Sequence, residues 1–155
     1  MSRVLRWAAV GALLAPAPGL CENADNAKTP VYVQPECAGD ELGQKIASRL
    51  HDDIRASGLM SAVDRRAASM VTLNLVCLPP DANERGLISH YSYQITLANP
   101  KGLYDFAMSH GVGTCGSQRV SECAASLLAN LEKMISELRG AIQSGVLKPP
   151  AAEAR

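Results

Sequence analysis

The sequence predicts one α+β domain, a two-layer α/β sandwich with two helices on one face of a mixed, largely antiparallel sheet of about five strands. Two segments carry apolar residues at helical spacing, and three others alternate between apolar and polar residues as half-buried strands do. The predicted order is strand, helix, four strands and a final helix, and the first strand–helix–strand unit predicts a right-handed crossover between parallel strands.

The two helices have clear ends. Asp40 is a suitable N-cap for the first helix, and Ser57-Gly58 ends it with Gly58 as the expected left-handed cap. Its apolar positions are Leu42, Ile46, Ala47, Leu50 and Ile54. The last helix ends at Gly145, and its apolar stripe comprises Val120, Cys123, Leu127, Leu128, Leu131, Met134, Ile135, Leu138 and Ile142.

The strands are predicted from short runs. "VYVQP" from Val31 predicts a strand stopped by Pro35, and "LMSAVD" and "MVTLNLVCL" predict two more. "LISHYSYQITLA" and "LYDFAMSH" flank the turn residues 99–102 and predict a hairpin. Matching apolar side chains pairs Tyr93 with Met108. That register puts His90 opposite Gly111 and His110 opposite Tyr91, so that the two histidines point to opposite faces.

The first residues have the plan of a secretory signal peptide, with a basic start and the apolar run Trp7 to Leu14. We assign residues 1–21 to the signal peptide, 22–30 to a flexible segment, 31–145 to the domain and 146–155 to a disordered tail. The protein is therefore expected in the periplasm or outside the cell. Cys21 could instead be acylated as a lipoprotein's first residue, although Leu20 is bulky for a lipobox.

The charge excludes some partners. Without Arg3 and Arg6 of the leader, thirteen basic residues face fifteen acidic ones, a formal charge of −2. Since no basic stripe with interleaved aromatic residues occurs, nucleic acid is not an expected partner. No second apolar run reaches membrane-spanning length.

Residues 31–142 resemble, in element order, the amino-terminal domain of TolB and related α/β domains of bacterial envelope lipoproteins. The resemblance is carried by "ASGLMSAVD" after the first helix, a hydrophobic strand, the hairpin "YSYQITLANPKGLYDF" and the final helix. It implies an envelope protein that works by contacting other proteins. The sequence departs from that family by its four cysteines in the domain, and no attached propeller is expected.

The stretch "SHGVGTCGSQRVSEC", residues 109–123, admits several interpretations. Gly111, Gly113 and Gly116 have the spacing G-x-G-x-x-G, but in a dinucleotide-binding domain this motif follows the first strand and an acidic residue ends the second. Here it follows the last strand, so we expect a glycine corner and no nucleotide cofactor. Cys115 near His110 could be a catalytic thiol, and His90, His110, Cys115 and Cys123 are metal-ligand types. Their spacing fits no common zinc motif, so neither a metal nor sensitivity to chelation is expected.

Four cysteines remain after a cut behind Cys21, an even number in an oxidising compartment, which predicts two disulfides. Cys115 and Cys123 flank one corner. Cys37 follows the first strand and Cys77 ends the third, and these ends are neighbours if the strands are parallel. We therefore predict the pairs Cys37–Cys77 and Cys115–Cys123.

The leading functional hypothesis is a non-enzymatic interaction module whose partner is another envelope or extracellular protein. The expected contact surface is the sheet face opposite the helices, with Thr72, His90, Ser92, Gln94 and Thr96. The alternative is a periplasmic carrier of a small ligand, which a cavity between sheet and helices would favour. A third hypothesis is a thiol enzyme that uses Cys115 as its nucleophile.

Overall fold

The structure, a computed structural model, describes residues 27–78, 80–98 and 105–146. Its strands are β1 (Thr29–Glu36), β2 (Met60–Ala62), β3 (Val71–Leu78), β4 (Ile88–Leu97) and β5 (Phe106–Gly116). Its helices are α1 (Glu41–Ala56) and α2 (Val120–Gln143), with short 3₁₀ turns at Arg66–Ala68 and Ser117–Arg119. The predicted fold class and element order are confirmed. The predicted signal peptide, residues 147–155 of the predicted tail and the hairpin turn 99–102 lie outside the described residues.

The strands form one mixed sheet in the order β2-β1-β3-β4-β5. β1 is parallel to both β2 and β3, whereas β3, β4 and β5 are successively antiparallel. The parallel pairing of β1 with β2 agrees with the predicted strand–helix–strand unit. Within the described ranges, neither helix combines the length and apolarity needed to cross a membrane.

The core lies between the sheet and the two helices. Leu73, Leu75 and Ile95 of the sheet are fully buried against Leu50 of α1 and Leu131 of α2. These residues fall on the faces that the alternation and the helical stripe predicted. Truncating one of them to alanine typically costs about 2–5 kcal/mol of unfolding free energy.

Asp40 connects the start of α1 to the sheet. Its Oδ1 accepts hydrogen bonds from the backbone N–H groups of Leu42 and Gly43, both at 3.0 Å, which confirms the predicted N-cap. Its Oδ2 accepts a hydrogen bond from the hydroxyl of Ser89 in β4. Asp40 and Ser89 are both fully buried, so this contact fixes the amino end of α1 over the sheet.

The helix ends differ in mechanism. α2 is followed by Gly145 with φ of 75°, as predicted. The prediction of a left-handed cap at Gly58 was wrong, because the C-cap of α1 is Ser57 in an extended conformation and Gly58 does not have a positive φ. At the far end of α2, Arg139 donates hydrogen bonds to the carbonyls of Ala27 and Leu59 and to the hydroxyl of Thr29. These bonds place the carboxyl end of α2 over the start of β1 and β2.

Pro35 does not stop β1, which runs on to Glu36. The N–H of Thr29 donates to the carbonyl of Leu59, and that of Val63 donates to the carbonyl of Val31. The backbone of odd-numbered β1 residues therefore points toward β2. The backbone of Pro35 therefore points toward the β2 side of β1. Because β2 ends at Ala62, no described strand lies there, and the missing N–H of Pro35 breaks no hydrogen bond between strands.

The predicted hairpin register was wrong by three residues from Ile88 to Ile95 and by two at Thr96 and Leu97. Tyr93 pairs with Gly111 rather than Met108, and β5 continues through the glycine motif to Gly116, with an irregularity between Ile95 and Thr96. Matching apolar with apolar side chains misled the prediction, because the large tyrosine rings require small cross-strand partners. As a result His90 pairs with Thr114 and His110 with Gln94, so both histidines lie on the face opposite the helices.

Candidate functional site

The two disulfides lie at the ends of strands. Cys37 follows β1 and Cys77 lies near the end of the parallel strand β3, and their Cα atoms are 4.6 Å apart. Cys115 near the end of β5 is joined to Cys123 in the first turns of α2, with the Cα atoms 6.2 Å apart. This is the pairing expected from the sequence. The first bond joins the residue after β1 to β3, and the second joins β5 to α2.

The thiol-enzyme hypothesis requires a free sulfur at position 115. In the structure Cys115 is almost fully buried and bonded to Cys123. A disulfide sulfur has no thiolate to attack a substrate. A catalytic role for Cys115 would therefore require reduction of this bond.

The glycine motif is part of a strand and not a loop, which corrects the expected glycine corner. Gly111 and Gly113 lie within β5, and neither has a positive φ. A β-carbon on Gly111 would stand 2.6 Å from the ring of Tyr93, and one on Gly113 would stand 2.5 Å from the ring of Tyr91. The glycines therefore give room for two tyrosine rings that lie across β5.

Both tyrosines are held on the helix side of the sheet. The side-chain amide of Asn130 in α2 donates a hydrogen bond of 3.0 Å to the hydroxyl of Tyr93. Burial, and secondarily the neighbouring Tyr93, raises the pKa of Tyr91 above its ordinary value of 10.0. The close approach of the two rings explains the glycine spacing by packing.

The open face, defined as the sheet face opposite the helices, carries the predicted interaction residues, but only some are accessible. Ser92 and Gln94 are exposed and His90 is partly exposed. Thr72 and Thr96 are buried, which corrects their assignment to a contact surface.

Thr72 and Thr96 are buried because another segment of the chain covers one corner of the open face. Ser69 lies 3.2 Å from Thr72, hydroxyl to hydroxyl. The Thr96 hydroxyl donates to the carboxylate of Asp105 at 3.5 Å, and Asp105 forms an ion pair with Arg66. The segment around the 3₁₀ turn at Arg66–Ala68 therefore shields the end of the face where Thr72 and Thr96 pair.

The accessible part of the open face includes exposed apolar side chains. Val76 is 38% exposed, Leu78 is 60% exposed and Val112 is 86% exposed. Ser92 pairs with Val76 on one side and with Val112 on the other, and His90 pairs likewise with Leu78. We name this surface the open patch; it comprises Val76, Leu78, His90, Ser92, Gln94 and Val112. Sequence reasoning missed Val112, because continuing the predicted alternation from Met108 assigns it to the helix side; the irregularity between Ile95 and Thr96 moves it to the open face.

His90 and His110 lie on different strands of the open face. Nδ1 of His90 is 3.0 Å from the hydroxyl of Thr114, and its Nε2 is 3.8 Å from the carboxylate of Glu84. His110 lies four positions along β5 from Thr114. Within the described part of the chain, no three His, Cys, Asp or Glu residues are grouped as metal ligands would be.

A largely apolar groove of about 310 Å³ lies beside α1, where β1 extends beyond β2. It is lined by Val33, Pro35, Gln44, Ala47, Ser48 and His51. The groove opens to solvent along the flank of the helix. It differs from the cavity between sheet and helices that a carrier was expected to have.

Comparisons with known proteins give structural neighbours only. No family model matches the chain, and no curated protein matches it significantly. A PelC dodecamer from Paraburkholderia phytofirmans is 15% identical, with 72% of this chain and 89% of that chain covered and a TM-score of 0.45. A protein from Caulobacter crescentus described as a lipoprotein is 14% identical, with 67% and 90% covered and a TM-score of 0.38.

The two neighbours named are a PelC protein and a protein described as a lipoprotein. They do not support TolB in particular. Identities and TM-scores this low carry no information on what the protein binds.

Proposed function

We propose that this protein is an exported, non-enzymatic interaction module of the bacterial envelope, and that its open patch contacts another envelope or extracellular protein. Export is supported by the signal-like leader and by two disulfides, which persist in oxidising compartments. The observation that carries the interaction role is the accessible, partly apolar open patch on a face that neither helix covers.

The composition of the open patch fits a protein contact. Three exposed apolar side chains alternate with His90, Ser92 and Gln94, and none of these six residues is charged, while Glu36 lies opposite Val76 at the rim of the patch. The centres of protein interfaces are depleted of such charged residues, whereas ordinary solvated surfaces are rich in them. Glu84, beside His90, contributes charge at the rim. A partner with a complementary apolar centre would bury Val76 and Leu78.

The test is site-specific photo-crosslinking in the native envelope. A crosslinker at Ser92 or Gln94 should yield one discrete adduct with a different protein, and the same crosslinker at Ser136, on the exposed side of α2, should not. Ser92→Lys and Gln94→Lys should weaken capture of that protein while leaving the thermal midpoint unchanged. Capture that survives both substitutions would overturn the assignment of the open patch.

The groove beside α1 supports a second candidate, a small-ligand carrier. Val33, Pro35 and Ala47 supply an apolar lining, with His51 as a polar group at the groove. Mass spectrometry of the exported protein under non-denaturing conditions should then show a retained small molecule that Ala47→Trp displaces. A mass equal to that of the polypeptide alone would count against the carrier.

A further inference from the structure

β5 is the last strand of the sheet, and its outer side pairs with no described strand. The N–H of Ser117 donates to the carbonyl of Leu87 in the direction of β4. By the alternation of backbone direction along a strand, residues 109, 111, 113 and 115 also face β4. The N–H and C=O groups of His110, Val112 and Thr114 therefore point outward.

This edge lacks most of the features that keep edge strands from pairing. Natural edges are shortened or carry charged residues, prolines or bulges. β5 is eleven residues long and contains neither a proline nor an Asp, Glu, Lys or Arg. Its irregularity opposite Ile95 and Thr96 lies toward the start of the strand and leaves Ser109–Gly116 in regular register. By contrast β2, at the other edge, has only three residues.

We infer that this edge pairs with a second copy of the same chain, in an antiparallel β5–β5 contact centred on Val112. In this register Val112 lies opposite Val112 of the second copy, and each His110 lies opposite Thr114 of the other copy. The three outward-facing residues of each strand would then exchange six backbone hydrogen bonds. The contact joins two five-stranded sheets into one of ten strands.

A second copy fits this edge because self-pairing opposes identical residues and would place any charge against its like. The absence of charged residues from β5 removes that repulsion. The same register covers Val112, whose side chain is 86% exposed in the single chain. An edge selected for a charged peptide would instead carry the opposite charge.

The helices leave room for this contact. A two-fold axis perpendicular to the sheet keeps both helical layers on the same side. α2 starts near β5 but ends over β1 and β2, where Arg139 bonds to Thr29 and Leu59. α2 therefore leads away from the β5 edge, and a second β5 strand could lie about 4.8 Å from the first.

The first test is the solution mass of the purified, oxidised protein by sedimentation velocity. We expect the mass of two copies, falling to one on dilution. Val112→Lys places two cations opposite each other and should raise the dissociation constant about tenfold or more. Ser92→Lys, on the neighbouring strand, should leave the dimer intact although it disrupts the open patch, so that dimerisation and partner binding are tested separately. A single-copy mass at every concentration would overturn the inference.

A crosslink tests the register even if Val112→Lys fails to fold. Val112→Cys should form a disulfide-linked dimer, since directly opposed residues in a hydrogen-bonded antiparallel pair have Cα atoms about 5.5 Å apart. Gln94→Cys, on the inner strand β4, should not. A dimer that Val112→Cys fails to link would use another surface and would contradict the proposed β5 contact.

Discussion

The ring of Tyr93 lies over Gly111, its partner across β4 and β5, so closely that a β-carbon on the glycine would stand 2.6 Å from Cε1. Tyr91 and Gly113 repeat this relationship two residues away along each strand. The two pairs account for a glycine spacing that resembles a nucleotide-binding motif. Their role is to let large side chains lie flat between the sheet edge and α2.

Gly111→Ala should therefore destabilise the protein by about 1–3 kcal/mol, as overpacking typically does. Tyr93 cannot easily move aside, because Asn130 holds its hydroxyl. Gly116→Ala is the control, since the atom nearest to its added β-carbon is the carbonyl oxygen of Leu87 at 3.9 Å. Chemical denaturation measures both variants. Equal effects at the two glycines would show that strand propensity, not the tyrosine ring, sets the cost.

Gly43 should be the least replaceable helical glycine among the described residues. A β-carbon there would stand 2.4 Å from Sγ of Cys77 and 2.8 Å from Oδ2 of Asp40. The sulfur is tethered by a disulfide and the carboxylate caps α1, so neither can yield freely. Gly43→Ala should lower the unfolding free energy by about 1–3 kcal/mol despite alanine's higher helix propensity.

Gly140 in α2 provides the matched control for Gly43. Nothing lies within 4 Å of its added β-carbon, so Gly140→Ala should raise the unfolding free energy by about 0.5–1 kcal/mol. The two substitutions should thus change the denaturation midpoint in opposite directions. A stabilising Gly43→Ala would contradict the close packing of α1 on the Cys37–Cys77 bond.

The two disulfides should contribute unequally to stability. The sequence separation is 40 for Cys37–Cys77 and 8 for Cys115–Cys123. Loop entropy then gives about 4 kcal/mol for the first bond and about 2.5 kcal/mol for the second. Replacing each pair with alanines and comparing denaturation curves tests this order.

Peptide mapping without reduction is the companion measurement. It should recover the two pairs and no free thiol at Cys115. A free Cys115 in the exported protein would contradict the pairing and favour the thiol enzyme instead.

Tyr91 should make stability fall at alkaline pH. Its pKa is raised in the folded protein, so in the unfolded chain the phenol ionises at a lower pH, near its ordinary value of 10.0. Below pH 10 both states hold the proton and Tyr91 adds no pH dependence. Above pH 10 the phenol ionises first in the unfolded chain, so the unfolding free energy falls as the pH rises. This fall levels off once the pH passes the raised pKa of Tyr91 in the folded state.

Thermal midpoints measured across this range should therefore decline less steeply in Tyr91→Phe than in the unsubstituted protein. Tyr32→Phe is the control variant, because Tyr32 lies on the opposite face of the sheet. A decline unchanged by Tyr91→Phe would assign the alkaline loss to other groups.

Local patterns in the sequence determined the element types, the helix stripe, the Asp40 cap and the fold class. The spacing of apolar residues shows which face of a helix or strand is apolar. This is enough to predict the element when that whole face is buried. The cysteine positions also predicted their pairing, because a parallel β1 and β3 bring Cys37 and Cys77 to one end of the sheet.

Only the tertiary structure decided the hairpin register. Apolar matching favoured Tyr93 opposite Met108, but ring volume selects Gly111, and no single-strand pattern records the size of a cross-strand neighbour. The same shift placed both histidines on the open face. The burial of Thr96 likewise depends on Asp105 and on Arg66, which pairs with Asp105 from thirty-nine positions away; this is a long-range contact rather than a local preference.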